Sequence, residues 1–263
     1  MSGKTGVNIK DPNNLAFYID IANPNSYNPS RNPSTLFSMV PGGKDANLYG
    51  TTLPYYTTQY GGGMAFQTAS QQRFLIDPVP LTTQSFAVEV WFRAGRAPNG
   101  LSSNNTWMGI IAAGDPVSSA GATTTGWAIG TVGDSTRLFY GVSVSSSAGY
   151  NSIVQYDDTP PNPSSFTPPL YTVGQVYNFL LQRNTIDQKM ELYVNGNKVG
   201  NFTLSNSASL VNPSPPTIKT QTWVYGCQFN NNTYYSMKMY TNTQFTAAEV
   251  QQNFNAVRNK FGI

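Results

Sequence analysis

The chain has 263 residues, of which only 10% are charged and 13% are aromatic, and its formal net charge is +3. The net charge is small and the lysines and arginines are not clustered in the sequence. Both observations argue against nucleic-acid binding, which requires a focused basic face. No apolar run reaches membrane-spanning length and residues 1–14 lack an apolar signal core, which predicts a protein made in a cytoplasm without secretory export and without membrane insertion.

The residue inventory removes several kinds of site chemistry. The chain has no histidine and one cysteine, Cys227. Without histidine, His-based triads and the common zinc and iron sites are excluded. A lone cysteine forms no intrachain disulfide and is expected to be a small buried hydrophobe. No phosphate-binding motif occurs either, so the sequence predicts no metal and no cofactor.

A glycosidase site requires two carboxyl groups that flank the scissile bond. The only glutamates are Glu89, Glu191 and Glu249. Glu249 has the spacing of a helix cap, and no two carboxylates alternate along one strand. Glu89 and Glu191 could meet only if two distant strands were neighbours on the same face. The sequence therefore predicts no catalytic residue and no enzyme, with a glucanase-type hydrolase as the weakest alternative.

In chain order, residues 1–14 form a polar segment without periodicity. We predict an N-terminal arm there, which is either a disordered tail or a segment that binds neighbouring subunits. One domain, residues 15–263, follows.

Residues 41–63 are rich in glycine and proline and are predicted to be mostly turns. Alternating or short apolar runs predict strands at residues 15–21, 64–66, 73–76, 85–94, 107–113, 126–131, 138–144, 176–183, 190–194, 198–199, 223–227 and 234–240.

Two local features support a sheet protein. In residues 85–94, Phe86 and Val88 begin a row that points one way, while Ala87 and Glu89 begin the opposite row. Farther along the chain, Asn195-Gly196 is a preferred type I′ pair because both central residues need a positive φ. Many short strands separated by Gly, Pro and Asn clusters predict a β-sandwich.

The long segment 145–174 interrupts this pattern with two proline-rich stretches. Its length indicates either a functional loop or a missed strand, for which residues 153–156 are the candidate. After that strand, Tyr156, Asp157 and Asp158 are candidate ligand-binding residues. The aspartates could offer oxygens to Ca²⁺, but two supply few of the six or more it needs, and a solvated pair is the simpler interpretation.

Several tyrosines in predicted loops are further candidates for a binding surface. A tyrosine ring can stack against a sugar, but tyrosine is equally favoured at protein interfaces. From one sequence the two uses cannot be separated for Tyr55, Tyr56, Tyr60, Tyr150 and Tyr156.

The C-terminal segment predicts a strand followed by an amphipathic helix. Thr246 and Glu249 have the spacing of a capping box, and Phe245 and Val250 that of a hydrophobic staple. One apolar stripe follows at helical spacing, and a glycine ends it: Val250, Phe254, Val257 and Phe261, then Gly262.

Taken together, four segments resemble the concanavalin A-like (laminin-G-like) jelly-roll domains, especially those of tailed-phage virion proteins. They are residues 15–27, 86–92, 190–196 and 237–263, in order along nearly the whole chain. The resemblance implies an all-β fold, a two-sheet antiparallel jelly-roll sandwich with one short C-terminal amphipathic helix. It also implies that loops at one rim engage partners, although the insertion at 145–174 departs from the compact family pattern.

Two functional hypotheses follow. The first is a non-enzymatic virion structural protein, a capsid decoration or cement protein or another exterior head or tail component. Such a protein would be assembled in the host cytoplasm, with other virion proteins and copies of itself as partners. The alternative is a carbohydrate-binding adhesin that recognises cell-surface glycans through rim tyrosines and Asp157-Asp158.

Overall fold

The computed structural model describes residues 12–67, 72–76, 79, 85–95, 107–113, 126–132, 138–143, 153–155, 172–184, 186–187, 189–203 and 231–263. The predicted strand 223–227, Cys227, most of the segment 145–174 and residues 1–11 of the predicted arm lie outside these ranges. Within them, the arm ends in a 3-10 turn, Pro12–Asn14. The Asn14 carbonyl accepts a hydrogen bond of 3.3 Å from the Thr241 hydroxyl, which ties this turn to the domain.

The strands of the described residues are, in chain order, β1 (Leu15–Asp20), β2 (Thr35–Leu36), β3 (Ala46–Tyr49), β4 (Tyr55–Thr57), β5 (Gly63–Ala65), β6 (Arg73–Ile76), β7 (Phe86–Arg93), β8 (Trp107–Ala113), β9 (Gly126–Val132), β10 (Leu138–Ser143), β11 (Ile153–Gln155), β12 (Val176–Asn184), β13 (Lys189–Val194), β14 (Asn197–Thr203) and β15 (Thr233–Thr241). The pairings between them are antiparallel.

The strands form one large sheet and two smaller ones. The large sheet has the order β14-β13-β12-β7-β15-β5-β4, with β1 also paired to β15, and the smaller sheets are β11-β10-β9-β8 and β2-β3-β6. One buried cluster unites all three, since it contains Val90 of the large sheet, Phe74 of the three-stranded sheet and Ile110 of the four-stranded sheet. The Tyr234 hydroxyl also crosses this core to donate to the Ile110 carbonyl at 2.7 Å. The predicted antiparallel sandwich is confirmed.

Strand β7 is buried on both faces because each face has its own cover. Its Phe86 row lies in the core between the sheets, while Ala87, Glu89 and Trp91 face helix α1 (Ala247–Arg258). The Trp91 ring stacks on Phe254, with centroids 5.7 Å apart, and on Phe261 at 4.7 Å. We call this outer surface of the large sheet the helix-covered face.

Helix α1 is built as the sequence predicts. The Thr246 side chain accepts from the Glu249 backbone N–H, and the Glu249 carboxylate accepts from the Thr246 N–H at 2.7 Å, which completes the capping box. Phe245 and Val250 share one buried cluster, as the staple requires. Beyond α1, the 3-10 turn Asn259–Phe261 ends at Gly262, whose φ of 69° is a left-handed conformation that glycine adopts without steric penalty,. No helix in the described part of the chain is long and apolar enough to span a bilayer.

The predicted hairpin is also present. Asn195 and Gly196 have φ values of 50° and 78° and connect β13 to β14. Strand β11 confirms the strand predicted inside the segment 145–174.

The prediction for residues 41–63 was wrong in part, because this stretch contains β3 and β4. Both strands are short, and the two-residue strand β2, which precedes this stretch, was missed as well. β3 pairs with β6, whose residues come after an intervening hairpin. A four-residue strand with a distant partner leaves little periodic signal among glycines, so only the tertiary pairing reveals it.

Candidate functional site

The predicted ligand residues Tyr156, Asp157 and Asp158 lie outside the described residues, as does Tyr150, so that binding prediction stays open. Within the described ranges, no three residues of the Asp, Glu and Cys types converge in a way that could hold a metal ion. The other three loop tyrosines of the sequence analysis are described, and they come together at one border of the large sheet.

Strand β4 is the outermost strand of the large sheet at this border. Two adjacent tyrosines of β4 are open to solvent: Tyr55 is 53% exposed and Tyr56 is 38% exposed. Tyr56 stacks on Tyr27, with ring centroids 5.6 Å apart and an interplanar angle of 28°. We call Tyr27, Tyr55 and Tyr56 the tyrosine edge. Exposed aromatic rings side by side on a border strand make this edge a candidate binding surface.

Tyr27 is the fixed base of this edge. It is only 7% exposed, and its backbone N–H donates to the Asn23 carbonyl at 3.0 Å within a tight turn. Burial, followed by the proximity of Tyr56, raises the pKa of the Tyr27 hydroxyl above its ordinary value. Tyr27 therefore stays neutral at physiological pH and presents a ring whose position is set by the fold.

The chain after β4 is shaped to make room for Tyr56. A Cβ on Gly62 would lie 2.4 Å from the Tyr56 hydroxyl oxygen, and Gly62 has φ of 140°. Glycine is the residue that accommodates both the close approach and this backbone conformation. The Gly61-Gly62-Gly63 run, which the sequence marked only as a turn, thus serves the packing of an exposed ring.

Tyr60 joins the tyrosine edge to the end of α1. Its φ of 53° is uncommon for a residue with a side chain,. The ring meets Tyr235 at 5.6 Å and Phe261 at 5.7 Å, both edge-on. Burial is the largest influence on the Tyr235 hydroxyl and raises its pKa to about 12. This aromatic cluster places the β4–β5 corner against the C-terminal segment.

The helix-covered face contains Glu89 and Glu191, the two glutamates considered above as a glycosidase pair. The Glu89 carboxylate accepts from Trp91 Nε1 at 2.8 Å, from Asn178 Nδ2 at 2.9 Å and from Lys238 Nζ at 3.0 Å. Glu89 and Lys238 are directly opposite each other on β7 and β15. Because both ions are buried and paired, this group is a structural network inside the fold.

Glu191 has a similar environment on the same face. It accepts hydrogen bonds from Gln182, Tyr193 and Lys198. Burial by itself would raise the pKa of Glu191, but the hydrogen bonds from Lys198 and Gln182, the charge of Lys198 and the Tyr193 hydroxyl outweigh it, so the pKa is lowered. Gln182 also donates to the Phe245 carbonyl and accepts from the Phe245 N–H, each at 2.9 Å, which clamps the start of α1 to the sheet.

The two glutamates share a face but are not neighbours, since β12 lies between β7 and β13. Their rows are also offset by two residues, because Glu89 is level with Leu180 and Glu191 with Gln182. Strand spacing and rise place their Cα atoms roughly 12 Å apart. Protein groups occupy both carboxylates, so this pair does not have the open geometry of a glycosidase site.

Comparison with known proteins identifies the fold. No protein family matches the sequence, and no curated protein is similar to it in sequence. Among solved structures, the binding domain of Paraclostridial mosquitocidal protein 1 superposes with a TM-score of 0.60 at 13% identity, over 94% of this chain and 53% of that chain. A botulinum neurotoxin type C structure, from work on its cell entry through interaction with two ganglioside molecules, superposes with a TM-score of 0.56 at 11% identity, over 94% of this chain and 52% of that one. The Trypanosoma rangeli sialidase superposes with a TM-score of 0.53 at 13% identity, over 95% of this chain and 34% of that chain.

Identities this low show a shared fold alone. The chain spans about half the length of the two toxin structures, so what those proteins bind is not assigned to the matched half. The first structure is a toxin binding domain and the second is a toxin whose cell entry depends on two ganglioside molecules, whereas the third is an enzyme. None of the three is a virion protein, and the phage placement remains a prediction.

Sequence reasoning named the tyrosines of this border but not their arrangement. Tyr55 and Tyr56 were candidates because they lie in a loop-like, glycine-rich stretch. Tyr27 was not a candidate, and its only signal was the Asn23-Pro24-Asn25 turn that precedes it. The stacking of Tyr27 on Tyr56 arises between segments far apart in sequence, so no local pattern could have predicted it.

Proposed function

We propose that this chain is a non-enzymatic carbohydrate-binding domain that recognises cell-surface glycans through the tyrosine edge. The observation that carries the proposal is the pair of exposed tyrosines on the border strand β4, one of them stacked on a buried third ring. An aromatic face in water is a favourable partner for the C–H face of a sugar, because both surfaces lose unfavourable hydration on contact.

The fold prepares this edge for binding. Tyr56 is held by Tyr27 on one side and by the Gly62 corner on the other. A ring that is already ordered loses little conformational entropy when a ligand stacks on it. Tyr55 points to the opposite face of the strand, so a ligand lying along β4 would contact rings on both sides of this border.

The groups next to the rings along the chain are also suited to sugar hydroxyls. Hydroxyl and amide groups lie close by in the sequence, among them Thr57 and Gln59. Such groups can exchange hydrogen bonds with sugar hydroxyls without the desolvation penalty of an ion. The toxin neighbour whose cell entry depends on two ganglioside molecules supports a glycan as the class of ligand.

An enzymatic role has less support. Glu89 and Glu191 are enclosed by their own protein partners under α1. They are separated by a strand, and neither faces the tyrosine edge. A chain that binds glycans without cleaving them therefore accounts better for the way its carboxylates are used.

The test is a glycan array probed with the full chain, with and without Ca²⁺, followed by titration calorimetry on the best ligand. Tyr55→Ala and Tyr56→Ala are each expected to weaken binding about tenfold or more, the effect of losing one stacked ring. Ile186→Ala is the matched control, because Ile186 is an apolar side chain 82% exposed at the β12–β13 connection. Its affinity should be unchanged. No binding above background in either array would overturn the proposal.

The location of the protein is a separate proposal that rests on the sequence resemblance. A glycan-binding domain suits the exterior of a phage head or tail, where it would be assembled beside other virion proteins and copies of itself. Mass spectrometry of purified virions should find the chain in stoichiometric amounts. Its absence from particles would remove the virion placement and leave the glycan-binding proposal intact.

A further inference from the structure

The three-stranded sheet β2-β3-β6 has a second polar and aromatic surface, on the side away from the core. Along β3, Ala46 and Leu48 are buried while Asn47 and Tyr49 are exposed. Along β6, Phe74 and Ile76 are buried while Arg73 and Leu75 are half-buried on the side away from the core. The register places Tyr49 opposite Arg73 and Asn47 opposite Thr35. We call these four residues, Thr35, Asn47, Tyr49 and Arg73, the Arg73 face.

Arg73 lies over an aromatic ring and not beside a carboxylate of the described residues. Its guanidinium carbon lies 5.8 Å from the centroid of the Tyr49 ring. Throughout the described part of the chain, no carboxylate lies within ion-pair distance of Arg73, and its Nε is buried without a hydrogen-bond partner. A guanidinium that stacks on a ring keeps its N–H donors free in its own plane. The buried Nε is closed to a ligand, so the two Nη groups are the donors that Arg73 can present to one.

The neighbouring groups suit hydroxyls. The Thr35 hydroxyl donates to Asn47 Oδ1 at 3.3 Å, which orients the Asn47 amide. Asn47 is diagonal to Arg73 across β3 and β6, a relation that separates side chains by about 7–8 Å. One sugar ring can bridge that spacing, while Tyr49, 41% exposed, borders the same surface.

We infer that the Arg73 face is a subsite for an acidic sugar, with Arg73 binding the sugar carboxylate. The inference rests on the proposed glycan-binding function and narrows its ligand class. Arg73 would donate two parallel hydrogen bonds to the carboxylate oxygens, the strongest and most directional way in which a side chain recognises that group. Asn47 would contact ring hydroxyls, and Tyr49 holds the guanidinium in place. The shallow face has a ring, an amide and a hydroxyl beside the cation, which fits a sugar better than an extended acidic peptide.

Calorimetry on the full chain with sugars that differ only in acidity tests this inference. The pairs are glucuronic acid against glucose and galacturonic acid against galactose. We expect the acidic member to bind about tenfold more tightly, and the preference to fall as salt rises, because the contact is charge-assisted. Arg73→Gln should abolish the preference and leave affinity for the neutral member unchanged.

Arg31→Gln is the matched control. Arg31 also lies over a ring, with its guanidinium carbon 5.3 Å from the Phe37 centroid, and its replacement makes the same change in net charge. The acidic preference should survive it. Arg73→Lys, which keeps the charge without the fork, should retain only part of the preference. Unchanged thermal unfolding of each variant verifies that the fold is intact.

The outcomes separate the two proposals. Equal binding of acidic and neutral sugars, or equal loss in Arg31→Gln and Arg73→Gln, would overturn the Arg73 subsite and leave glycan binding standing. Binding of a short glutamate peptide as tightly as the acidic sugar, lost in Arg73→Gln, would overturn the ligand class. No binding of any sugar would overturn the proposed function itself.

Discussion

Beneath α1 the side chains of Glu89 and Lys238 are 5% and 3% exposed and bound to each other, whereas on β4 Tyr55 is 53% exposed. The fold thus encloses the charged residues that the sequence offers as candidates for catalysis. Residues from the stretch predicted to be mostly turns face the solvent instead. The difference teaches that the paired charges beneath α1 stabilise the domain, while the exposed rings are available to a ligand. If this division is correct, changes under α1 should alter stability and changes on β4 should alter binding.

The largest expected effect is at the buried ion pair. Lys238→Met leaves the Glu89 carboxylate buried without its counter-charge, so the free energy of unfolding should fall by about 3–5 kcal/mol. Urea unfolding followed by circular dichroism measures this. In the double variant Glu89→Gln, Lys238→Met no uncompensated charge remains, and part of the loss should be regained. A single variant as stable as the parent would show that the pair is not structural.

The clamp between Gln182 and the start of α1 should come next. Gln182→Ala leaves the N–H and C=O of Phe245 without their side-chain partner, at a cost of about 1–3 kcal/mol. Gln252→Ala is its control, because Gln252 lies on the exposed side of the same helix. Hydrogen exchange should show faster opening of α1 in the first variant alone.

A smaller effect is expected at the helix cap. Thr246→Ala removes the acceptor for the Glu249 N–H and should lower the free energy of unfolding by about 1 kcal/mol. Thr246→Ser retains the hydroxyl and should lie close to the parent protein. Equal loss in the two variants would mean that the methyl group, rather than the cap, is responsible.

The loss of stability at acidic pH should depend in part on the protonation of Glu191. Its pKa in the folded protein is lowered below the ordinary value of 4.5. A carboxyl group with a depressed pKa stabilises the fold above its unfolded-state pKa, and that contribution is lost as the pH falls through the folded-state value. Thermal unfolding of the parent and of Glu191→Gln should therefore differ most near neutral pH and converge in acid. A constant difference across this range would contradict the assignment.

The smallest stability change is expected at the tyrosine edge. Tyr55→Ala should shift the free energy of unfolding by no more than about 0.5 kcal/mol, as is usual at an exposed site, although it should weaken glycan binding. A loss of several kcal/mol would instead make Tyr55 part of the framework and erase the contrast between the two regions.

Much of the framework could be read from local patterns. The alternation in β7, the Asn195-Gly196 turn and the Thr246–Glu249 cap each depend on residues near one another in sequence, and all three are present. The second burial of β7 was harder to foresee, because a polar row containing Glu89 usually faces water. Here α1 covers that row, which requires knowing where the C-terminal helix docks.

The amino-acid sequence by itself determined the antiparallel sandwich, the capped start of α1 and the absence of histidine chemistry, because periodicity, capping residues and composition are local properties. Only the tertiary structure decided that Glu89 and Glu191 are enclosed, that Tyr27 supports Tyr56, and that Arg73 lies on Tyr49 without a carboxylate among the described residues. These relations join residues brought together by strand pairing or loop packing, and which segments meet is set by the packing of the whole core. That is why the candidate binding surfaces became visible only in three dimensions.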